Sequence, residues 1–205
     1  FQPFGTSGQL RIKESLTGKP TAALYSISSG GGDLRVEAHG IRLPRGLAFN
    51  EFGNLFVTNQ GSDITRFDCG NSFMNTPTAL PAIASGFAYN GGIDIAFDCP
   101  SQKYIGFMSA YSANQMLKMD FGNSLQNTPA ISTVYSLPSP QGVSLVNEAG
   151  KWHLFAVTGS NRLYHFTLGN SIDNTPTYNY DDYLSGYLND PKNIQFAHDS
   201  SNWYA

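Results

Sequence analysis

Charge is scarce in this chain. Only 13% of its 205 residues are Asp, Glu, Lys or Arg, the net charge is −3, and no stretch gathers Lys and Arg into a basic cluster. That argues against a nucleic-acid footprint and against a patch for anionic membranes. Long hydrophobic runs are missing too. None approaches the ~18 residues needed to cross a bilayer, so no membrane insertion is expected. Cysteine is limited to Cys69 and Cys99, too few for a disulfide framework. Cys69 reads as a small buried apolar residue, and the sequence leaves a Cys69–Cys99 bridge open. There is no visible leader. A chain that begins at Phe1 reads as a mature product, an excised fragment or the ordered part of something longer. Strong helix-formers are few, while there are 21 Gly, 11 Pro and 13% aromatics. Turn-formers and aromatics in that proportion favour an all-β fold, and the length suffices to bury a substantial core.

What the chain does have is a repeat. The pattern GNS-x-x-N-T-P starts at Gly70, Gly122 and Gly169, with steps of 52 and 47 residues. A period on the order of 40–50 residues points to a repeat architecture. Before each GNS lies a strand with matched slots. Ile64, Met116 and Leu163 fill one; Arg66, Lys118 and His165 a basic one; Phe67, Met119 and Phe166 an apolar one; Asp68, Asp120 and Thr167 the last. Apolar residues on both faces predict a strand packed between two sheets. The basic and acidic slots share a face, which predicts pairs Arg66–Asp68 and Lys118–Asp120 within the strand.

Further upstream, NLFVT (54–58), YIGFM (104–108) and WHLFAV (152–157) form a second strand. GLAF (46–49), GIDIAF (92–97) and GVSLV (142–146) form a first. Four short antiparallel strands per unit describe a β-propeller blade. The expected register is an incomplete blade at 8–45, full blades at 46–91, 92–141 and 142–193, and a fragment at 194–205. Four to five blades are thus represented, the first and last incomplete. QLRIK, ALYSIS and LRVEA supply the second to fourth strands of the N-terminal blade, with Ser29-Gly30-Gly31-Gly32 in place of the GNS loop. Either five units close with one incomplete, or the chain is part of a larger ring or array; the second reading is preferred.

The loop composition has a structural rationale. Gly permits positive φ on leaving the strand. Asn71, Asn123 and Asn170 tolerate left-handed geometry. Pro after Asn-Thr restarts an extended chain. The first variable residue (Phe73, Leu125, Ile172) is apolar and should tuck onto the blade. A cation-binding reading of the Asn and Ser oxygens is weaker, because calcium loops use several carboxylates and this loop has only Asp173, in one copy.

Residues 43–59, LPRGLAFNEFGNLFVTN, followed by ITRFD, resemble an NHL-type propeller repeat. The likeness is good over 43–68 and looser elsewhere, where Pro100-Ser101-Gln102 or Glu148-Ala149-Gly150 replaces the Gly-Asn turn. The GNS-x-x-NTPT loop looks like one in large secreted or surface proteins of Bacteroidetes-type bacteria and in virion proteins of their phages. The resemblance implies a propeller that is secreted, on the cell surface or in a virion. It also raises a metal-dependent lactonase-like hydrolase, since some NHL-like propellers ring the channel with Glu, Asp, Asn and His. Here the matching slots hold Arg45 and Ala48, Asn90 and Asp94, Gln141 and Ser144, Asn193 and Gln195. Asp94 alone is a carboxylate, whereas a hydrolytic metal needs several anionic or imidazole ligands. His39, His153, His165 and His198 fall at different blade positions and read as solvated or strand-face residues.

The expectation is therefore a non-catalytic binding or structural module, without catalytic residues, cofactor or metal, contacting a protein or glycan and packing with other subunits of a larger assembly. Its contact residues would be Arg45, Asn90, Asp94, Gln141, Asn193 and Gln195 at the channel mouth. A second surface would comprise Tyr178, Tyr180, Asp181, Asp182, Tyr183 and Tyr187, where the sequence departs from the repeat. Tyrosines there and at Tyr89 and Tyr111 suit sugar stacking or interface anchoring, though packing between blades is the expected role for each singly.

Overall fold

The computed structural model describes residues 11–14, 22–27, 33–36, 44–49, 53–70, 75, 77–183, 186–199 and 202–205. For 11–36, Asp181 and Tyr183 it describes the backbone alone. Several expectations lie outside the described residues: those on Asn71 and Phe73, the Ser29–Gly32 turn, His39 and the 50–52 turn of the NHL-like stretch.

The fold is an all-β propeller of four-stranded antiparallel blades. β1 (Arg11–Glu14), β2 (Ala22–Ile27) and β3 (Asp33–Val36) form a three-stranded sheet. The first complete blade is β4 (Pro44–Phe49), β5 (Asn54–Asn59), β6 (Asp63–Asp68) and β7 (Thr78–Ala84). The second is β8 (Asn90–Asp98), β9 (Lys103–Ala110), β10 (Gln115–Asp120) and β11 (Ala130–Ser136). The third is β12 (Pro140–Glu148), β13 (Lys151–Thr158), β14 (Arg162–Gly169) and β15 (Thr177–Tyr183). A short hairpin of β16 (Ala197–His198) and β17 (Trp203–Tyr204) follows.

Apolar residues on both strand faces make sense once the blades are stacked. Phe56, Ile64 and Ile83 of the first blade share a buried cluster with Ile95, Met108 and Met119 of the second. Ile105, Phe107 and Met116, also of the second, share another with Val143, Leu154 and Phe166 of the third. The innermost strands run close together, β8 lying against both β4 and β12. Glycine allows this approach. A Cβ on Gly92 would sit 2.7 Å from Gly142 Cα, and one on Gly142 would sit 2.6 Å from Asn193 Cα.

The GNS-x-x-N-T-P loop is a structural turn. Gly70, Gly122 and Gly169 have φ of +64°, +64° and +74°. Left-handed geometry belongs to these glycines and not to the following Asn123 or Asn170. The second asparagine closes each loop: Asn75, Asn127 and Asn174 donate Nδ2–H to the carbonyls of Cys69, Phe121 and Leu168 at 2.8, 2.9 and 2.8 Å. Leu125 and Ile172 are buried under their loops. Cys69 is buried, Cys99 is exposed, and both are free thiols.

The expected ion pairs within the third strand do not form. The basic slot instead reaches forward into the next blade's loop. Arg66 donates Nη1–H to the carbonyls of Leu125 and Asn127 at 2.9 and 2.8 Å, and Nε–H to the Pro81 carbonyl at 2.9 Å. Lys118 pairs with Asp173 Oδ1 at 2.6 Å and also bonds the Asp173 carbonyl. Asp68 and Asp120 cap their own loops, accepting the Gly70 and Gly122 amides at 2.7 and 2.8 Å. The carbonyls turned toward the neighbouring blade are the stronger partners because a buried cation needs several acceptors.

Candidate functional site

The six residues expected at the channel mouth divide into two places. Asp94, Asn193 and Gln195 line a cavity of about 320 Å³ between the innermost strands, walled by β4, β8, β12 and residues 193–196. Arg45, Asn90 and Gln141 line a smaller one of about 160 Å³ at the starting end of the same strands, with Tyr89, Tyr111 and Lys192.

Asp94 is the only carboxylate among the described residues of the larger cavity. Its Oδ2 accepts the Leu145 amide at 2.7 Å and the Ser144 hydroxyl at 3.4 Å, and its Oδ1 accepts the Ile95 amide at 2.8 Å. The inner-strand walls enclose it. That enclosure raises its pKa above the usual carboxylate value, against the opposing pull of the Leu145 and Ile95 amides and the Ser144 hydroxyl. The arrangement is thus a single carboxyl on the cavity wall, with both oxygens hydrogen-bonded to the inner strands.

Asn90 is no free recognition group. It is 1% exposed; its Nδ2 donates to the Gly61 carbonyl at 3.1 Å, and its Oδ1 accepts from Ser85 Oγ at 3.0 Å. It pins the β5–β6 turn to β8. Gln141 is largely buried, and its carbonyl is held by the Ser109 hydroxyl. Arg45 is exposed and oriented by Gln60 Oε1 at 3.1 Å.

Sequence reasoning missed Lys192. The signal was there. Gly46, Gly92 and Gly142 occupy one position on successive inner strands and Asn193 lies against Gly142 in the same sequence of contacts, so the residue before each aligns Arg45, Gly91, Gln141 and Lys192. Counting from the glycine register rather than from the strand's first apolar residue finds it.

The second expected surface combines exposure with ring packing. Tyr178 stacks on Tyr135 of the second blade, with ring centroids 6.0 Å apart and planes at 14°, and meets Phe166 edge-on at 5.9 Å. Tyr180 packs edge-on against His165 at 4.9 Å. Both rings pack on one side and remain exposed on the other, at 41% and 45%. Asp182 is exposed and Tyr187 is 90% exposed; the side chains of Asp181 and Tyr183 lie outside the described residues. His153 and His165 meet, Nδ1 to Nε2, at 2.9 Å, with Phe155 stacked on His165 at 4.6 Å. Burial first, and His153 second, lower the His165 pKa. Among the described residues no three of His, Cys, Asp and Glu come together as a metal site. Asp173, the loop's one carboxylate, is held by Lys118 and Lys103, which depress its pKa, Lys118 most.

No family model matches this chain, and no curated protein matches it by sequence. Solved structures do match by fold. A protein from Lactobacillus plantarum aligns over 87% of this chain and 54% of its own, at 7% identity and a TM-score of 0.54. The catalytic domain of a GH62 α-L-arabinofuranosidase from Coprinopsis cinerea aligns over 86% and 55%, at 13% identity and 0.50. An exo-β-1,3-galactanase from Phanerochaete chrysosporium, solved with galactose, aligns over 87% and 49%, at 12% identity and 0.53. The chain spans about half the length of these structures. They share its propeller fold, and glycoside hydrolases stand among them. The step from fold and polar mouth to a non-catalytic binding or structural module is thereby overturned.

Proposed function

We propose that the inner-strand channel is the saccharide cleft of a propeller-type glycoside hydrolase, with Asp94 as its general acid. One observation carries this reading: the sole carboxylate on the described channel wall is also the one whose pKa the walls raise. Glycoside hydrolysis uses two carboxyl groups about 5–9.5 Å apart, one of them kept protonated by its surroundings. In this proposal Asp94, whose pKa burial raises, is the one that the three blades contribute. The second belongs, in this proposal, to the remainder of a ring as long as the solved neighbours. Their printed substrates support arabinose- or galactose-containing glycans as the ligand class. An extracellular or cell-surface setting, suggested by the loop's resemblance, is part of the same proposal. The NHL-like stretch at 43–68 supports the blade geometry and brings no ligand with it.

Asp94→Asn tests it. Hydrolysis of aryl arabinofuranosides and galactosides by the ring-complete protein should fall about 10²–10⁴-fold, while oligosaccharide binding survives. Wild-type activity should fall as pH rises through the Asp94 pKa, because the acid form is the one used. Unchanged hydrolysis in Asp94→Asn, or no arabino- or galacto-oligosaccharide bound at millimolar concentration, overturns the reading.

A further inference from the structure

The smaller cavity at the start of the inner strands has a chemistry of its own. Arg45 reaches it from β4 and Lys192 from the segment before β16, and Tyr89 and Tyr111 line the same cavity. Both tyrosines are exposed, at 44% and 40%, although each sits on a fixed turn. Tyr89 has φ +56°, a left-handed conformation that costs a residue with a Cβ about 1–2 kcal/mol. Backbone bonds hold it there: its amide donates to the Gln60 carbonyl at 2.9 Å, and its carbonyl accepts the Tyr111 amide at 3.0 Å. Tyr111 opens a short 3-10 turn, Tyr111–Ala113, tied back by the Ser112 hydroxyl to the Ala88 carbonyl. Ser139 and Asp190 take the same left-handed geometry at the matching positions, with φ of +48° and +50°, so the turn belongs to the repeat and the aromatic ring on it is particular to this blade. Gln60, which orients Arg45, also accepts the Tyr89 amide, so ring and guanidinium are set by one residue. The carboxylate at hand is Asp190, which engages Lys192 at 2.7 Å and leaves the Arg45 fork to the cavity.

We infer that this pocket binds a hexuronic acid residue of the glycan, its ring on Tyr89 and Tyr111 and its carboxylate on Arg45, with Lys192 beside it. Aromatic faces take the apolar face of a pyranose. A guanidinium fork matches a carboxylate in a bidentate way that a neutral sugar cannot use. The cavity of about 160 Å³ has room for about one sugar residue. The inference rests on the channel being glycan-facing, and it specifies an acidic rather than a neutral saccharide at this end.

Titration calorimetry of the 205-residue chain with digalacturonate and with the neutral galactobiose tests it, folding of each variant being checked by circular dichroism. Digalacturonate should bind at least tenfold tighter at low salt, and the preference should shrink as salt rises. Arg45→Met should erase the preference, bringing digalacturonate down to the affinity of galactobiose. Tyr89→Gly, which adopts φ +56° without strain, should weaken both ligands. Equal affinity for the two disaccharides, or a preference that survives Arg45→Met, overturns the inference. If that happens while neutral oligosaccharides bind and Asp94-dependent hydrolysis persists, the hydrolase reading stands alone. If neither saccharide binds, both fall.

Discussion

Asp98 should be one of the costliest side chains to remove. It is fully buried at 0% exposure, at the end of β8. Its carboxylate accepts the Ser171 hydroxyl at 2.7 Å and the Ile172 amide at 2.9 Å from the third blade's loop. It also accepts the Ser101 hydroxyl at 2.5 Å and the Ser101 amide at 3.1 Å from its own turn. Asp98→Ala leaves the buried Ile172 amide and Ser171 hydroxyl without an acceptor, at about 1–3 kcal/mol each. Ser101 is less enclosed and can turn to water. The expected loss is about 3–5 kcal/mol, a large part of a typical domain's stability, or a fall in Tm on the order of 10 °C for a chain this size. The pH dependence follows from the same contacts. Burial alone would raise the Asp98 pKa, but the Ser101, Ser171 and Ile172 bonds together hold it below the ordinary value. Its stabilisation is therefore complete above the unfolded carboxylate pKa of about 4 and is lost as pH falls through the lower folded value. Urea unfolding at pH 7, 5, 4 and 3 should show a gap between wild type and Asp98→Ala that is constant down to pH 5 and closes below 4. A loss under about 1 kcal/mol at pH 7, or a gap independent of pH, would refute the reasoning.

Two further outcomes follow, one from a joint between blades and one from the histidine pair within the third blade. Lys118→Met removes a charge-assisted bond to Asp173 and a bond to its carbonyl; with Lys103 still beside Asp173, the expected cost is about 2–3 kcal/mol, read as a lower urea midpoint with unchanged slope. His165 has a lowered folded pKa, so the unfolded chain takes up its proton first. Stability from this group is full above about pH 6.5 and declines as pH falls toward the folded value; His165→Gln should flatten thermal melts between pH 7 and 5, and an unchanged pH slope would count against it.

The fold was legible because its signals are local. A glycine with positive φ and an asparagine five residues later define each loop within a single octapeptide. The alternation of strands and turns defines each blade without knowledge of the others. Asp94 was legible too, as the lone carboxylate at a repeated inner-strand slot. The joints were not. Asp98 meets Ser171 and Ile172 from 73 and 74 residues away, and Lys118 meets Asp173 from 55. No periodicity states which loop a side chain reaches. Proximity in the sequence pointed Arg66 to Asp68 and Lys118 to Asp120, while stacking offered each cation the carbonyls of the next blade. Asn90 was misread for the opposite reason. Its slot beside the channel suggested a contact residue, but the β5–β6 turn folds over it.

The division of labour among the copies has an electrostatic cause. Residues at matched slots on the outer parts of the blades face different neighbours, so repetition there costs nothing: Arg66 and Lys118 each serve a separate joint. The inner strands converge on one channel, so repetition there would bring like groups together. The slot that holds Asp94 in the second blade holds Ala48 in the first and Ser144 in the third, and all three line the same cavity. Carboxylates at all three would face one another across a low-dielectric channel, and like charges at such range cannot all ionise. The unlike residues avoid this, and they do more. Ser144 donates its hydroxyl to Asp94, while Ala48 leaves space. A single titratable group, walled by neighbours that lack it, is what allows burial rather than mutual repulsion to set its pKa. Departure from the repeat at this slot is thus what leaves Asp94 the one carboxylate among the described residues of this cavity.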